Sequence, residues 1–526
     1  MASRTLKIPE IVGLICEQLC ECSTSISPIL ARIALVSPLF ANECLARLWY
    51  SQSGLLNFLR LLPGDCYIIN NRKVETMFLE RALTPKDFER PMLYGPRIKH
   101  FYCRELPPAS VCSALAQFAP GGLLFPHLNR LEFNIASTTP TTFPYISLFM
   151  GSSLESVHLV AEDDSTSFLT TYSTHCARLK HFSMFTKGRS SSTGMTIAFN
   201  AFVANLAQIN SVDVDSMAYK SFGPLSAQTT LQTLVIRENN RIPFELACIY
   251  HFPSLVDFQL HFSNFKTMVR MLDAMRMPQL SSIEMDSVGA AKAHRIRAVF
   301  ERLQQQAPGL QFHELMIDTD VDTLPTDVTP DYTITLHTIE PLLSSVALSR
   351  VDLQLNEGFD LSDACVARVA EAWPMLEILR LTMPYKSRRA VASSITLAGL
   401  QAFAHHCPFL TTLALVLDGT VEAPKFEPSD TISQQYSLRT LEVGVSSQRF
   451  PLIAADLLAT VFPTLIRIET YWETSGHMQD ESESAAAWHF VESMLIHGVK
   501  VRKRERLWGR LHGSSLPAIC EDEDSD

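Results

Sequence analysis

The sequence predicts an α/β architecture: three short N-terminal helices, then a long array of stacked strand-plus-helix units with parallel strands on a concave face and helices on a convex one. Three observations carry this. An apolar frame, L-x-x-L-x-L, recurs thirteen times between Leu128 and Thr470 at a mean spacing of about 28 residues, within the roughly 20 to 29 of a strand-and-helix repeat. The fourth and sixth frame positions are two apart, which on a strand turns both side chains to one side. Between frames, stretches such as 266–275 and 293–303 space apolar residues three and four apart, as a one-sided helix requires.

Taken in order, the first sixty residues contain no such frame and read as helices. Ile8, Ile11, Val12, Ile15 and Leu19 fall on one helical stripe, with Pro9 suited to the first turn and Glu10 complementing the helix dipole. Ser27-Pro28 opens a second helix carrying Leu30, Ile33 and Ala34. Ser37-Pro38 opens a third, with Phe40, Cys44, Leu45, Leu48 and Trp49 on its apolar side. Such short helices are too small to be very stable alone, and gain from docking or from a partner. A helical connector is predicted over 61–97 and the repeat array over 98–475, opening with a weak frame at Ile98-Phe101-Cys103. A capping helix and a basic strand (Lys500, Arg502, Lys503, Arg504, Arg506) follow over 476–512, then an acidic disordered tail over 513–526. The acidic, Thr- and Pro-rich stretches 318–331 and 420–434 read as protruding loops.

The frame resembles that of leucine-rich repeats. That family places Asn or Cys three residues after the last Leu. Here Asn239 and Asn356 stand there, while other units carry Ala136, Met217 or Asp418, so the solenoid is irregular and its turns vary. The N-terminal segment resembles an F-box. Ile8-Pro9-Glu10-Ile11 matches its Leu-Pro-Glu-Ile-like opening, with Ile8 for the usual Leu; the stretch from Leu30 to Ser37 matches its Leu-x-x-Leu-Ala-x-Val-Ser-like run; Leu48-Trp49 matches its Leu-Trp. The whole arrangement is similar to that of fungal F-box proteins. The resemblance implies a substrate-recognition subunit of an SCF-type cullin-RING ubiquitin ligase, docking on a Skp-type adaptor and holding a target protein on its repeats. For the adaptor contact it points to Ile8, Pro9, Ile11, Val12, Leu30, Leu35, Val36 and Phe40. The other reading is a leucine-rich-repeat interaction scaffold unrelated to ubiquitin, whose N-terminal helices only cover the first repeat.

Composition narrows the function classes. The net charge of −11 includes five carboxylates in the last six residues, leaving −6 for the rest, so nucleic acid is a poor partner. No apolar run reaches membrane-helix length, and residues 11–15 lie between Glu10 and Glu17 without a cleavage pattern, which predicts a cytoplasmic or nuclear protein. The twelve cysteines are scattered through apolar patterns and read as core thiols, including the tight group Cys16, Cys20 and Cys22. No catalytic, metal or cofactor motif appears, and His405-His406-Cys407 reads as the end of a repeat helix. A non-catalytic chain is predicted, its binding residues being those that leave the strands on the open face. There, in the fourth to eighth units, Asp213, Asp215, Asp257, Glu284, Asp286, Glu314 and Asp318 stand against Arg237 as the one opposing full charge, a negative surface suited to a basic protein substrate, whereas later units interleave Arg350, Arg380 and Arg467 with Glu442 and Glu469.

Overall fold

The computed structural model describes residues 8–511 except 22–26, 71–75, 135–142, 162–168, 170, 173–174, 187–192, 216–220, 238–247, 290, 307–311, 321–329, 356–357, 384–392, 424–432 and 471–478. Ala136, Met217, Asn239, Asn356, Cys22, the side chains of Pro9 and Cys20, most of both acidic loops and the tail 513–526 lie outside the described residues. The chain forms two compact units, one of residues 1–241 with 250–255, the other of 242–249 with 256–526.

The first unit opens with α1 (Pro9–Glu21), α2 (Ser27–Ile33) and α3 (Pro38–Tyr50). Their core is small: Val12, Cys16, Leu30 and Cys44, with Ile33, Leu39, Phe40 and Leu48 packed around it. Ser37 is extended and caps α3, its hydroxyl accepting from the Phe40 amide at 3.3 Å. α3 then runs without a break into β1 (Ser51–Ser53), which pairs in parallel with β4 (His100–Cys103). The sheet therefore begins well before residue 98. Ser51-Gln52-Ser53 carries no apolar frame because this edge strand is largely solvated. The connector is also not simply helical, since β2 (Tyr67–Asn70) and β3 (Thr76–Leu79) form an antiparallel hairpin. Their aromatic and branched residues suit a pleated surface and are too few for a helical stripe. From β4 the parallel sheet continues through β5 (Arg130–Asn134), β6 (Ser156–Ala161), β7 (His181–Thr186), β8 (Ser211–Val214) and β9 (Thr233–Arg237).

Among the described residues, the second unit's part of the main sheet holds eight parallel strands in chain order: β10 (Asp257–Ser263), β11 (Ser282–Val288), β12 (Glu314–Asp320), β13 (Arg350–Gln354), β14 (Ile378–Thr382), β15 (Thr412–Leu415), β16 (Thr440–Gly444) and β17 (Arg467–Thr470). In both units equivalent frame positions face each other. Leu131, Val157, Phe182, Val212 and Leu234 form one such row, and Phe258, Ile283, Leu315, Val351, Leu379, Leu413, Leu441 and Ile468 another. Every residue of the thirteen frames is buried except Thr470.

Two backbone devices hold the frame in register. Pro126, Pro253, Pro278, Pro374, Pro408 and Pro463 each stand second in a four-residue turn closed by the frame's first amide, as in Leu128 to Phe125 at 3.2 Å. Proline's fixed φ suits that place, and the residue before it is buried. Next, one carbonyl per repeat accepts two consecutive amides from the following repeat. Asn129 and Arg130 donate to Lys99, Glu155 and Ser156 to Asn129, and the pattern recurs as far as Ile466 and Arg467 on Arg439. This spine does part of what an asparagine ladder would do. Ser446 takes another part, its hydroxyl accepting from the Leu417 amide at 2.7 Å and donating to the Val443 carbonyl.

The return segments vary, which is why the period wanders. α4 (Phe265–Ala274) and α5 (Ala293–Gln306) are amphipathic helices that pack on each other, burying Met268, Met271 and Leu272 on one and Ile296, Val299 and Phe300 on the other. Elsewhere short helical turns suffice, as at Phe143–Phe149 and Phe222–Ser226. After α6 (Pro451–Val461), α7 (Gln479–Leu511) covers the last strand. The basic stretch predicted as a strand is helical and belongs to α7. Helix propagation from the Ala-rich 485–487 carries through its valines, and Arg502 folds back to donate to the Pro463 carbonyl at 2.8 Å.

Candidate functional site

The three-helix module exposes apolar side chains that its own core does not use. Leu35 is 87% and Val36 70% exposed in the turn between α2 and α3, and Ile8 is 44% exposed at the start of α1. Ile11 and Phe40 are half-buried. Val12 and Leu30 do not belong to a contact surface: both lie in the module core, because they face inward where three short helices have little else to bury. Sequence reasoning missed Leu14 and Ile29, which are exposed. Leu14 extends a line Ile8, Ile11, Leu14 at i, i+3 spacing, which starts beside the inward Val12 and Cys16 and turns away from them along the helix, so the signal was present in the spacing on α1.

The module is tied to the sheet that follows it. Arg97 donates to the Asn42 carbonyl at 3.1 Å and side-chain oxygen at 2.9 Å, and the Trp49 ring lies 4.9 Å from Tyr94.

On the open face the carboxylates are less bare than the sequence suggests. In the first unit Asp213 is held by Arg237 through two contacts of 3.1 and 3.2 Å, and Arg237 lies over the Phe185 ring. Asp215 follows β8 and is half-buried. In the second unit Asp257, Ser282, Glu314 and Arg350 form one cross-strand row, and Asp286 stands directly beside Asp318. Parallel strands lie about 4.8 Å apart, so that last pair places like charges side by side. Asp318 is exposed; Asp286 is hydrogen-bonded to His261, whose Nδ1 lies 2.6 Å from Asp286 Oδ2. Burial pushes the Asp257 carboxyl above its ordinary value, although Gln259 donates to it at 3.1 Å. Farther along, Arg380 reaches across the buried Ala414 to Glu442 at 2.8 Å and also meets Asp352 at 3.3 Å. The small side chain at 414 makes that bridge possible.

His261, Glu284 and Asp286 offer ligand atoms within 4.8 Å of one another and are the described group that could hold a metal ion. Ligands on one tetrahedral zinc stand about 3.3 Å apart for bonds near 2.0 Å, whereas His261 and Asp286 approach to hydrogen-bond distance. His405-His406-Cys407 closes a repeat helix. Cys407 is buried against the Ala370 and Trp373 carbonyls, and burial pushes its thiol up to about 12, the state of an inert core thiol. Among the described residues no helix is long and apolar enough to cross a membrane.

No family model matches the chain, and no curated protein matches its sequence. Among solved structures it is similar to a yeast Rad7 and Elc1 complex, at 15% identity over 69% of this chain and 75% of that chain, with a TM-score of 0.33. It is also similar to a TLR13–ssRNA13 complex, at 12% identity over 72% of this chain and 61% of that chain, with a TM-score of 0.25. Likeness at this level says nothing of what this chain binds.

Proposed function

We propose that this chain is a non-catalytic substrate-recognition subunit of an SCF-type cullin-RING ubiquitin ligase. Its three-helix module acts as an F-box that docks on a Skp-type adaptor, and its repeats hold the target protein on the open face, with Asp286 and Asp318 favouring a basic segment. The observation that carries the reading is the exposure of Leu35 and Val36, with Ile8, Leu14 and Ile29, on a module whose own core holds four buried side chains. Exposed apolar area on so small a core favours a partner that covers it. The motif match from Ile8 to Trp49 supports the same assignment.

One observation favours the scaffold reading, in which the helices only cap the array: α3 continues into β1 and is pinned by Arg97. For the same reason, deleting residues 1–60 would remove a strand of the sheet and confuse the test. Point substitutions are cleaner. Leu35→Asp with Val36→Asp should abolish capture of a purified Skp-type adaptor while leaving circular dichroism unchanged. An intact chain that captures no adaptor, or a double variant that captures it as well as wild type, would move the assignment to the scaffold.

A further inference from the structure

The first unit contains a cavity of about 620 Å³ at the carboxyl ends of β1 and β4. That is the size of a small-molecule site. Its floor is apolar and buried: Leu55 and Leu59 follow β1, and Met77 comes from the hairpin. Leu56, Leu106 and Pro107 extend the apolar wall. Gly54, at a φ of 76°, turns the chain away from β1, its amide held by the Tyr102 carbonyl at 2.7 Å. The mouth is polar. The Arg104 guanidinium lies 4.9 Å from the Tyr102 ring centre and donates from Nε to the Tyr102 hydroxyl. Among the described residues no carboxylate pairs with Arg104, whose side chain is exposed where it lines the cavity. Glu105 is also at the mouth, exposed, and does not bridge to Arg104.

We infer that this cavity binds a monocarboxylate with an apolar body, seated on Leu55, Leu59 and Met77 with its carboxylate on Arg104. An apolar floor rejects a purely polar ligand, which would be desolvated without partners. A guanidinium already laid against an aromatic ring loses little freedom on gripping a carboxylate, and its fork fits one in two contacts. The carboxylate can belong to a free fatty acid or to the C-terminus of a peptide ending in an aliphatic residue; both present the same chemistry. Glu105 opposes an anion, so it weakens the site and sets the sign of a second variant.

The test is calorimetric titration of the full chain with decanoate below its micelle concentration, with decylamine as the cation of the same body, and with a peptide ending in Leu-Leu as acid and as amide. Saturable binding of decanoate or of the peptide acid is expected, the first assigning the carboxylate to a free acid and the second to a chain end. Arg104→Gln should weaken it about tenfold or more, the loss of one charge-assisted contact pair. Glu105→Gln should tighten it, and Leu56→Trp, which fills the wall, should abolish it. Because Arg104 and Glu105 are exposed, their variants stay informative if Leu56→Trp does not fold. The inference is overturned if neither acid binds, if decylamine binds as well as decanoate, or if the Arg104 and Glu105 effects are absent or reversed. None of these changes touches Leu35 or Val36, so adaptor capture reads independently.

Discussion

At the scale of single residues, the fold depends on polar side chains placed where the repeat pattern lapses. Gln435 stands where six other units have a buried residue followed by proline. It is 3% exposed, donates to the Cys407 and Leu410 carbonyls at 3.2 and 2.8 Å, and accepts from the Leu438 amide at 2.8 Å. One amide side chain thus closes its own turn and braces the preceding repeat. Gln435→Leu keeps the volume but leaves those carbonyls without donors, and should cost about 2–3 kcal/mol in urea unfolding; a cost below about 0.5 kcal/mol would show that the brace is dispensable. A second such residue is Asp87, which accepts both terminal nitrogens of Arg81 at 2.9 Å and the Thr84 amide at 2.7 Å. Chiefly through the Arg81 contacts, its carboxyl is held well below the ordinary carboxylate range. A depressed pKa contributes stability above the unfolded value, near 3.9, and loses it as pH falls toward the folded value. Asp87→Asn should therefore be less stable than wild type at neutral pH, and the gap should narrow from about pH 5 downward. Unfolding curves at stepped pH check both the sign and the window.

At the scale of elements, α7 closes the second unit. Trp488, Val491 and Leu495 are buried, the Trp488 indole donates to the Ser446 carbonyl at 3.0 Å, and Glu492 accepts the Ile468 amide at 3.0 Å. The helix therefore covers apolar residues and also satisfies an edge-strand donor that would otherwise face water. Trp488→Ala should cost about 3–5 kcal/mol by the cavity it leaves, measured by chemical denaturation, with loss of amide protection along β17. Full protection of β17 in that variant would mean the helix is held by other contacts. The capping helix was legible in the sequence from its spaced apolar residues, but its length was not. Val499 to Arg502 alternates valine with charge closely enough to read as a strand, whereas the backbone stays helical through it and Arg502 folds back onto Pro463. The hairpin at Tyr67 and Thr76 and the first strand at Ser51 were missed for a related reason: each is short, and a period of two or 3.6 cannot be distinguished over three or four residues.

At the scale of the whole molecule, what the sequence made legible was whatever repeats. All the frame residues but Thr470 are buried because one spacing was imposed thirteen times, and their pairing across strands follows from it. The interaction surfaces were legible only in part. Periodicity identified Val12 and Leu30 as apolar but could not tell the inward stripe of α1 and α2 from the outward one, and it set Asp213 and Arg237 on one face without showing that the two pair. The repeats carry one further consequence. Each strand pairs with its two neighbours, so stability should be nearly a sum of unit and nearest-neighbour terms. Leu413 is fully buried in β15, between Leu379 of β14 and Leu441 of β16. Leu413→Ala should cost about 2–5 kcal/mol, and hydrogen exchange should quicken in β14, β15 and β16 while β10 and β11 of the same unit keep their protection. A uniform loss across all eight strands would mean that the unit opens as one cooperative body, because a stack governed by neighbour contacts has no route by which a cavity at Leu413 weakens β10 as much as β14.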